Sequence, residues 1–471
     1  MARMLIGGEL VEGSRTLDVI DPCTGAAFTQ VPDADEGDVE RAVAAAKAEY
    51  PAWSRIAPES RGQVLRAMAA KITENAEELC ALLVQETGRP MALAQFEILH
   101  LATSYLNYYA GLEVHPELIV EDDTRRVELH RKPLGVVGAI VPWNAPIYIA
   151  CSKIAPALAA GNTIVVKTAP TTPLTSLRLG ELWAEVVPAG VVNILSGGND
   201  AGALLVAHKD VAKITFTGST ETGRKIMASA APTLKRVTLE LGGNDAAIVL
   251  PDADVATIAP AIFAFAFFNS GQVCAVIKRL YVHDSLYDAM CEAIAGLAAS
   301  ATVAPGSDAA AEFGPVQNKA QYQKVLHYLA EAKVAGKIIA GGEVTEGPGY
   351  FVPLTVVRDV SDGSPIVDEE PFGPILPIIR YSDVDDAVVR ANASPFALGG
   401  SVWGSDLAKA TAVAARLESG SVWVNQHCAL DPQVPFPANK QSGFGVEGGI
   451  EGLYPYLALQ TINVAKPGVA A

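Results

Sequence analysis

The sequence predicts an α/β protein with two sheets of parallel strands, each covered by helices. From residue 134 onward, short runs of β-branched residues alternate with helical stretches, and the runs are apolar on both faces. Such strands lie inside a parallel sheet because helices bury both of their faces. A second series of strands begins after Glu240, which predicts two lobes joined near residues 241–243.

The predicted elements follow in a simple order. Residues 38–113 are rich in Ala, Glu and Lys with helical spacing, and residues 113–131 alternate in character, which predicts helices followed by an exposed strand. The first strand series comprises GVVGAIVP, NTIVVK, VVNIL, KITFT and RVTLEL, and the second lies near residues 246–250, 279–282, 337–340, 375–380 and 421–424. Helical stretches separate the strands of the first series, as a covered parallel sheet requires.

The composition excludes several classes of protein. The chain has 471 residues, of which 50% are hydrophobic, and this excludes a disordered or fibrous protein. Its 35 Lys and Arg against 52 Asp and Glu give a net charge of −17, which would repel nucleic-acid phosphates and anionic lipids. We therefore expect neither a nucleic acid nor a membrane as partner.

The sequence shows no signal for secretion, for a membrane span or for a metal site. The most apolar stretch, residues 255–268, has 14 residues and contains Pro260, whereas a transmembrane helix needs about 18 or more. The six cysteines include no C-x-x-C pair, which argues against a disulfide framework and a zinc site. These features predict a soluble, cytoplasmic protein without a bound metal.

Two residues near the junction of the lobes suggest covalent chemistry. Cys274 ends the run FNSGQVC, and cysteine suits a nucleophile because a small fraction of an ordinary thiol is ionised at neutral pH. Glu240 lies near the end of the apolar strand VTLEL, where burial would raise the pKa of its carboxyl and suit a general base. On these residues alone, a buried structural cysteine and an ion-paired glutamate stay open as alternatives.

Three further segments place polar groups at strand ends. Asn144 in VPWNAP carries an amide that can donate to an oxyanion, although an Asx turn would also explain it. Lys167 ends the strand NTIVVK, where its ammonium should meet an anion or a hydroxyl. Gly218 and Ser219 open a predicted helix, and a helix N-terminus attracts phosphate.

The order and spacing of seven motifs resemble those of the aldehyde dehydrogenase superfamily: PWNAP, GNTIVVK, FTGS, ELGG, GQVC, EEPFGP and SGFG. The resemblance extends from about residue 6 to residue 461. It implies a Rossmann-like cofactor domain, a second α/β catalytic domain and a small β arm for oligomerisation. These would comprise residues 1–112 with 132–241, residues 242–440, and residues 113–131 with the C-terminal segment 441–471.

The resemblance implies NAD(P)-dependent oxidation of an aldehyde to its acid by the hydrolytic, non-CoA-acylating route. Cys274 would form a thiohemiacetal and then a thioester, while the Asn144 amide and the Cys274 backbone N–H hold the oxyanion. Glu240 would activate the water that releases the acid. The residues that match the family's cofactor cleft are Pro142, Trp143, Lys167, Pro170, Gly218, Ser219, Leu241, Glu370 and Phe372.

The sequence departs from the family's pattern at several places. Pro170 stands where many NAD-preferring members carry a glutamate that would repel a 2′-phosphate, so NAD and NADP both stay open, with a slight preference for NAD. Asn244 replaces the lysine common after ELGG, and PFPANK replaces a Pro-Phe-Gly-Gly loop. Ala458 stands where a second glutamate is frequent, which leaves Glu240 as the main candidate base.

The positions that match the family's substrate tunnel are mostly apolar. They predict an aromatic or medium aliphatic aldehyde and no anchor for a charged one, although such a set also fits an ordinary core. Ala145 is small where a phenylalanine is often found, which leaves room. The tunnel positions are Ala145, Tyr148, Phe268, Val273, Cys428, Leu430 and Phe436.

Other functions stay open at this point. A CoA-acylating semialdehyde dehydrogenase generally lacks the base, so Glu240 argues against it. A cofactor-independent thiol esterase would need only Cys274 and Glu240, and a non-catalytic relative would need none of the site residues. For assembly, the resemblance implies a homodimer or homotetramer formed through residues 113–131, which would otherwise form a surface hairpin.

Overall fold

Two mainly parallel sheets, each flanked by helices, organise the chain, and the predicted α/β fold class is confirmed. The computed structural model describes residues 2–467. Met1, assigned above to the cofactor domain, and residues 468–471, assigned to the C-terminal segment, lie outside the described residues.

The N-terminal region forms two hairpins followed by helices. Its strands are β1 (Met4–Ile6), β2 (Glu9–Val11), β3 (Thr16–Asp21) and β4 (Ala26–Pro32). Its helices are α1 (Glu36–Trp53), α2 (Pro58–Glu74), α3 (Ala76–Thr87), α4 (Met91–Gln95) and α5 (Thr103–Ala110), with a π-helical stretch at Phe96–Ala102 between the last two.

The next region alternates strands and helices. It contains β5 (Glu117–Glu121), β6 (Arg125–Pro133), β7 (Val136–Ile140), α6 (Pro146–Ala159), β8 (Thr163–Lys167), α7 (Leu174–Trp183), β9 (Val192–Leu195), α8 (Asn199–Ala207), β10 (Val211–Thr217), α9 (Thr220–Ala230) and β11 (Arg236–Glu240).

A second alternating region follows. It contains β12 (Asp245–Val249), α10 (Val255–Phe267), β13 (Ile277–His283), α11 (Tyr287–Ser300), α12 (Lys319–Ala335), β14 (Lys337–Ala340), β15 (Thr355–Val360), α13 (Pro365–Asp368), β16 (Ile375–Tyr381), α14 (Val384–Asn392), β17 (Phe396–Ala397), β18 (Gly399–Trp403), α15 (Leu407–Ala414) and β19 (Ser421–Val424).

The C-terminal part consists of short strands and one long strand. They are β20 (Phe436–Pro437), β21 (Asn439–Lys440), β22 (Gly443–Phe444), β23 (Val446–Glu447) and β24 (Leu457–Ala465). The first sheet has the order β2-β1-β9-β8-β7-β10-β11-β22, and the second has the order β14-β15-β16-β13-β12-β18-β19.

The first sheet brings the ends of its parallel strands to one edge. Strands β9, β8, β7, β10 and β11 are parallel neighbours, so residues that end different strands lie side by side. Ile140 pairs with Lys167 across β7 and β8, and Thr217 pairs with Glu240 across β10 and β11. The carboxyl edge of a parallel sheet is where ligands bind in open α/β folds, and here it carries three of the polar groups singled out above.

A separate three-stranded sheet forms an arm. β24 pairs antiparallel with β6 from Leu457 opposite Pro133 to Ala465 opposite Arg125, and β5 pairs with the other side of β6. The segment expected to form an exposed strand is therefore a two-stranded hairpin extended by the C-terminal strand. Exposed apolar side chains lie on its outer strands at Leu118, Ile119, Leu459, Ile462 and Val464.

Two strands of the second sheet were not predicted from the sequence. β18 begins with two glycines and a serine, which have low strand propensity, yet it lies between β12 and β19 in the interior of the sheet. β15 contains the charged residues Arg358 and Asp359 near its end, and these interrupt its apolar pattern. Position in the sheet, more than local propensity, decides both strands.

The described residues add two findings on a membrane span and on metals. None of the helices within residues 2–467 is long and apolar enough to cross a membrane. Over the same residues, no cluster of three or more His, Cys, Asp or Glu side chains could hold a metal ion.

One buried amide joins three parts of the first lobe. Asn162 Oδ1 accepts from the backbone N–H groups of Leu134 at 2.6 Å and Gly135 at 3.0 Å, where the chain enters β7. Its Nδ2 donates to the carbonyls of Ala157, near the end of α6, at 3.3 Å and of Tyr456, just before β24, at 2.9 Å. This single side chain therefore satisfies four backbone groups.

We predict that Asn162→Ala lowers the free energy of unfolding by about 3 kcal/mol, because it leaves buried N–H and C=O groups unpaired. The exposed Asn439, which donates one hydrogen bond to the Glu418 carbonyl, provides the control, and Asn439→Ala should cost less than about 1 kcal/mol. Urea unfolding followed by circular dichroism measures both. Equal losses in the two variants would contradict the role given to Asn162.

Candidate active site

One cleft between the two sheets brings together the three residues that the sequence analysis selected as catalytic. Asn144, which follows β7, Glu240 at the end of β11, and Cys274, which precedes β13, all line it. Parallel strand ends bring Asn144 and Glu240 to the same edge, and the second lobe supplies Cys274. Residues from two lobes therefore complete the site.

The backbone before Cys274 has an unusual conformation. Asn269, Ser270 and Gly271 have φ values of 51°, 54° and 73°, in the left-handed region that non-glycine residues rarely adopt. A Cβ on Gly271 would lie 2.2 Å from the carbonyl oxygen of Gly373, so only glycine fits there. The Ser270 hydroxyl donates to the Gly314 carbonyl at 2.8 Å. Surrounding contacts thus hold a strained turn that directs Cys274 into the cleft.

Hydrogen bonds couple Asn144 to this turn. Asn144 Nδ2 donates to the Gln272 carbonyl at 3.0 Å, and Asn269 Nδ2 donates to the Asn144 carbonyl at 3.1 Å. Asn144 is 6% exposed. Its amide is therefore fixed near the thiol, with its second N–H left for a further acceptor.

A buried ion pair that the sequence analysis missed supports Asn144 from behind. Arg89 pairs with Glu97 and also donates to the Asn144 carbonyl. Glu97 in turn accepts from the backbone N–H groups of Ile147 at 2.8 Å and Tyr148 at 3.1 Å, at the start of α6. Arg89 and Glu97 lie about 50 positions before the PWNAP motif that contains Asn144, and no local pattern in the sequence indicated them.

Glu240 is a buried carboxyl without a full set of partners. It is 5% exposed, and its Oε1 has no hydrogen-bond partner among the described residues. Burial first, and then the nearby Glu447 carboxylate, raise the pKa of Glu240 to about 8. A carboxyl with such a pKa can accept a proton near neutral pH, which is the property required of a general base.

The acidic residue beside Glu240 is Glu447, which the sequence analysis did not select. Glu447 forms an ion pair with Lys153 of α6, whose side chain is completely buried. The sequence analysis considered position 458 for a second carboxylate, but Ala458 lies on β24 opposite Lys132, in the arm. The Glu447 carboxylate lies 11 positions earlier in the chain, in the segment VEGG.

The thiol of Cys274 lies in surroundings that favour its protonated form. Burial raises the pKa of Cys274 well above the ordinary value, and the neighbouring Glu240 carboxylate raises it further. Lys278, which the sequence analysis did not select, acts in the opposite direction. Lys278 is thus the neighbouring charge that opposes the effects of burial and of Glu240 on the thiol.

The same cleft contains most of the residues predicted for the cofactor. Thr217, which the sequence analysis did not single out, lines it with a buried hydroxyl that has no partner among residues 2–467. Ser219 caps α9 by accepting from the Thr222 N–H at 3.3 Å, so the helix N-terminus faces the cleft. Of the predicted set, the cleft is lined by Pro142, Trp143, Gly218, Ser219, Leu241, Glu370 and Phe372.

Aromatic and amide contacts hold the far side of the cleft. The rings of Trp143 and Phe372 meet edge to face, with centroids 5.4 Å apart. Gln321 Nε2 donates to the carbonyls of Pro371 at 2.8 Å and Phe372 at 3.0 Å, which fixes the left-handed backbone at Phe372. Gln321 lies on α12 and was not predicted, because nothing in its own segment distinguishes it.

Lys167 faces a second cavity, which continues between α8 and α9. Its ammonium is buried and makes no hydrogen bond or ion pair with the residues that the structure describes, and burial lowers the pKa of Lys167 to about 8. Lys225 also lines the cavity, and no carboxylate does. Pro170 does not line it; it lies half-buried in the turn after β8.

These features fit a nicotinamide dinucleotide. A helix N-terminus and an unpartnered Thr217 hydroxyl suit a pyrophosphate, and the unpartnered Lys167 ammonium suits a ribose hydroxyl or a phosphate. The two cavities lie along the same edge of the first sheet, as an elongated ligand requires.

The residues predicted for the substrate fall into two groups. Leu430 and Phe436 line a third cavity together with Tyr105, and the lining also includes Gln426 and Asp431. Tyr148 packs against Tyr105 at this cavity: the centroids of the two rings are 5.2 Å apart, and the two hydroxyls are 3.3 Å apart.

The other predicted substrate residues lie closer to the nucleophile. Val273 directly precedes Cys274, and the ring of Phe268 packs edge to face on Phe96 with centroids 6.3 Å apart. Neither Val273 nor Phe268 lines the cavity that contains Leu430. Tyr105 and Phe96 come from the N-terminal helical region, where the sequence analysis looked only for structure.

Comparisons with known proteins extend over almost the whole chain. The model of the aldehyde dehydrogenase family matches residues 10–462. An aldehyde dehydrogenase from Fusarium sp is 41% identical over 465 residues, covering 98% of each chain. A phenylacetaldehyde dehydrogenase from Pseudomonas fluorescens is 39% identical over 483 residues, covering 98% of this chain and 96% of the relative.

Solved structures agree with the sequence relatives. The NAD+ complex of an aldehyde dehydrogenase from Bacillus cereus has a TM-score of 0.96 at 34% identity, covering 98% of this chain and 96% of that one. The resemblance drawn from the seven motifs is confirmed. This chain belongs to the aldehyde dehydrogenase family, whose members are oxidoreductases that convert aldehydes to acids with NAD(P)+.

Proposed function

We propose that this enzyme oxidises an apolar aldehyde, aromatic or of medium aliphatic length, through a covalent intermediate on Cys274. The observation that carries the proposal is the cleft shared by Asn144, Glu240 and Cys274. A nucleophile, a base and an amide donor in one cleft are the groups that acyl transfer through a thioester needs.

In the first half of the reaction, the ionised Cys274 sulfur attacks the aldehyde carbon, and the later loss of the hydride from that carbon leaves a thioester on Cys274. The carbonyl oxygen becomes an oxyanion, to which the free N–H of the Asn144 amide and the Cys274 backbone N–H donate. Because Asn144 is already held by Gln272, Asn269 and Arg89, it needs no reorganisation as the charge develops. Such a donor contributes about 3 kcal/mol to lowering the barrier.

In the second half, Glu240 accepts a proton from the water that attacks the thioester, and the acid leaves as the Cys274 sulfur is released. The raised pKa of Glu240 matches this task. Glu447 and Lys153 lie beside it and influence the charge that Glu240 carries. The presence of this base supports hydrolysis over transfer of the acyl group to CoA.

A bound nicotinamide dinucleotide supplies the acceptor for the hydride. Gly218, Ser219 and Thr217 are suited to its pyrophosphate, and Lys167 to its adenosine ribose. Glu370, with Phe372, is suited to the nicotinamide ribose. The NAD+ complex of the Bacillus cereus relative supports NAD as the preferred form, and the absence of a carboxylate at Pro170 supports acceptance of NADP as well.

The proposed substrate class rests on the lining of the third cavity and on one relative. Leu430, Phe436 and Tyr105 offer apolar and aromatic surface. The phenylacetaldehyde dehydrogenase among the relatives supports an aromatic aldehyde. We propose further that the exposed apolar residues of the arm pair two or four chains, and that the enzyme is cytoplasmic, in keeping with its six free cysteines.

The reaction is tested by following reduced nicotinamide in the presence of phenylacetaldehyde, benzaldehyde, hexanal and succinic semialdehyde. We expect turnover of the three apolar aldehydes, and a loss of more than about a thousandfold in Cys274→Ala. Cys23→Ala, which changes a half-buried cysteine outside the cleft, should keep the wild-type rate. Preference for succinic semialdehyde would contradict the substrate class, and ester cleavage without nicotinamide reduction would contradict the reaction.

Release of the acid should depend on pH through Glu240. Because the base must be ionised and its pKa is about 8, release should rise about tenfold per pH unit well below pH 8 and level off above it. The rate of acid release is measured at each pH by rapid quenching after the initial burst of reduced nicotinamide. Glu240→Gln should keep the burst and lose the pH-dependent release, and Glu447→Gln should move the inflection to lower pH. A flat wild-type profile would contradict Glu240 as base.

The cofactor preference should respond to charge at position 170. Pro170 itself does not line the Lys167 cavity, but a glutamate at this place in the turn after β8 has a longer side chain that can extend toward it. We expect Pro170→Glu to lower kcat/KM for NADP relative to NAD by at least about tenfold, because its carboxylate would repel a 2′-phosphate. Glutamine has nearly the same shape as glutamate but carries no charge. Pro170→Gln should therefore leave the ratio of the two kcat/KM values within about threefold of wild type. The same change of ratio in both variants would show that position 170 does not act through charge.

A further inference from the structure

A buried lysine that the proposed mechanism does not use lies next to the nucleophile. Lys278 is on β13, four residues after Cys274, and is 4% exposed. A buried ammonium is costly unless other groups compensate its charge, so its partners indicate what it does. Lys278 was not predicted from the sequence, because a single lysine within a strand forms no pattern.

Lys278 has three partners, and all belong to the site. Its Nζ donates to the backbone carbonyl of Cys274 and lies 3.1 Å from Glu370 Oε1. The ring of Phe372 lies 5.9 Å from the same nitrogen. One ammonium therefore contacts the nucleophile's own peptide group and the two residues suited to the nicotinamide ribose.

Glu370 Oε1 also joins Lys278 to the turn after β11. It accepts from the Gly243 backbone N–H at 3.1 Å. A Cβ on Gly242 would lie 2.5 Å from Glu370 Oε2, and a Cβ on Gly243 would lie 2.5 Å from the Cys274 carbonyl oxygen. The turn, the carboxylate and the nucleophile's carbonyl are thus packed directly together, with Lys278 as the cation between them.

The charges around the thiol give the lysine a second effect. The groups that face Cys274 are Glu240 of β11, Lys278 of β13, Cys428 after β19 and Tyr148 of α6. Burial raises the pKa of Cys274 most, Glu240 raises it further, and Lys278 lowers it. Three further charges act on Glu240: Lys153 and Glu447 compensate each other in an ion pair, and Glu370 is paired with Lys278.

We propose that Lys278 is a positioning residue for the reaction: it fixes the Glu370 carboxylate against Gly243 and the Cys274 backbone, and it supplies the positive charge that favours the ionised Cys274 thiol. The inference rests on the proposed role of Cys274 as the nucleophile. It explains why a lysine is buried at this point, where an apolar residue would fill the strand at lower cost.

The test measures the thiol directly, without cofactor or aldehyde. The full-length enzyme is treated with iodoacetamide at fixed pH values from 7 to 9, and alkylation of the Cys274 peptide is followed by mass spectrometry. Its rate is proportional to the ionised fraction of the thiol. We expect Lys278→Met to slow alkylation about tenfold or more, since an opposite charge nearby changes a pKa by about one to three units. Lys278→Arg, which keeps the charge, should restore most of the rate.

Changes at Glu370 separate charge from simple loss of structure. Glu370→Gln should speed alkylation, because it removes a negative charge and leaves Lys278 unpaired. The double variant Lys278→Met/Glu370→Gln should be alkylated faster than Lys278→Met. Because it removes both charges of the Lys278–Glu370 pair, neither is left buried alone, and it can be measured even if Lys278→Met fails to fold. A lysine that only maintained the fold would not produce this pattern of opposite signs.

The outcomes also separate this inference from the proposed function. Alkylation of Lys278→Met at the wild-type rate, or slower alkylation of Glu370→Gln, would overturn the role of Lys278. Full dehydrogenase activity in Cys274→Ala would instead overturn the proposed nucleophile, whatever the alkylation series shows. Since alkylation reports the thiol and turnover reports the reaction, each failure has its own signature.

Discussion

The hydrogen bonds between Asn144 and the turn before Cys274 are the contact on which the site depends. Asn144 belongs to the first sheet's edge, whereas Gln272 and Asn269 belong to the segment that carries the nucleophile. These bonds join the oxyanion donor directly to the segment that carries the sulfur, although the two are attached to different sheets. Arg89, held in a buried ion pair, keeps the Asn144 backbone in place, so the geometry of the cleft is set by buried polar contacts.

The buried charges around the cleft follow one scheme with a single exception. Lys153 is paired with Glu447, and Lys278 is paired with Glu370. Such pairs seldom stabilise a fold more than apolar residues would, and their value lies in fixing positions and potentials. Glu240, which lines the cleft, has a carboxyl oxygen without a hydrogen-bond partner in the described part of the chain. The missing partner leaves room for the water that Glu240 would activate, and it keeps the carboxyl ready to exchange a proton.

The sequence predicted what is encoded locally. The strands that end at Glu240 and before Asn144 follow from apolar patterns, and the order of motifs around Cys274 identified the family. Partners brought together only by the fold were missed: Lys153 and Glu447 are 294 positions apart, and each looks ordinary in its own segment. The strand β18, which begins with glycines, was missed for the related reason that its neighbours, more than its own residues, make it a strand.

The long pairing of β24 with β6 has a consequence for how the enzyme is made. β6 precedes every strand of the second sheet in the sequence, whereas β22, Glu447 and β24 follow them all. The first sheet therefore cannot complete its edge, its arm or the charges around Glu240 until the whole second sheet has been synthesised. Contacts this distant in sequence form slowly, and the nascent chain exposes an open sheet edge while it waits. A truncation directly after β19 would thus remove strands from the first sheet and the arm, although most of both had already been synthesised.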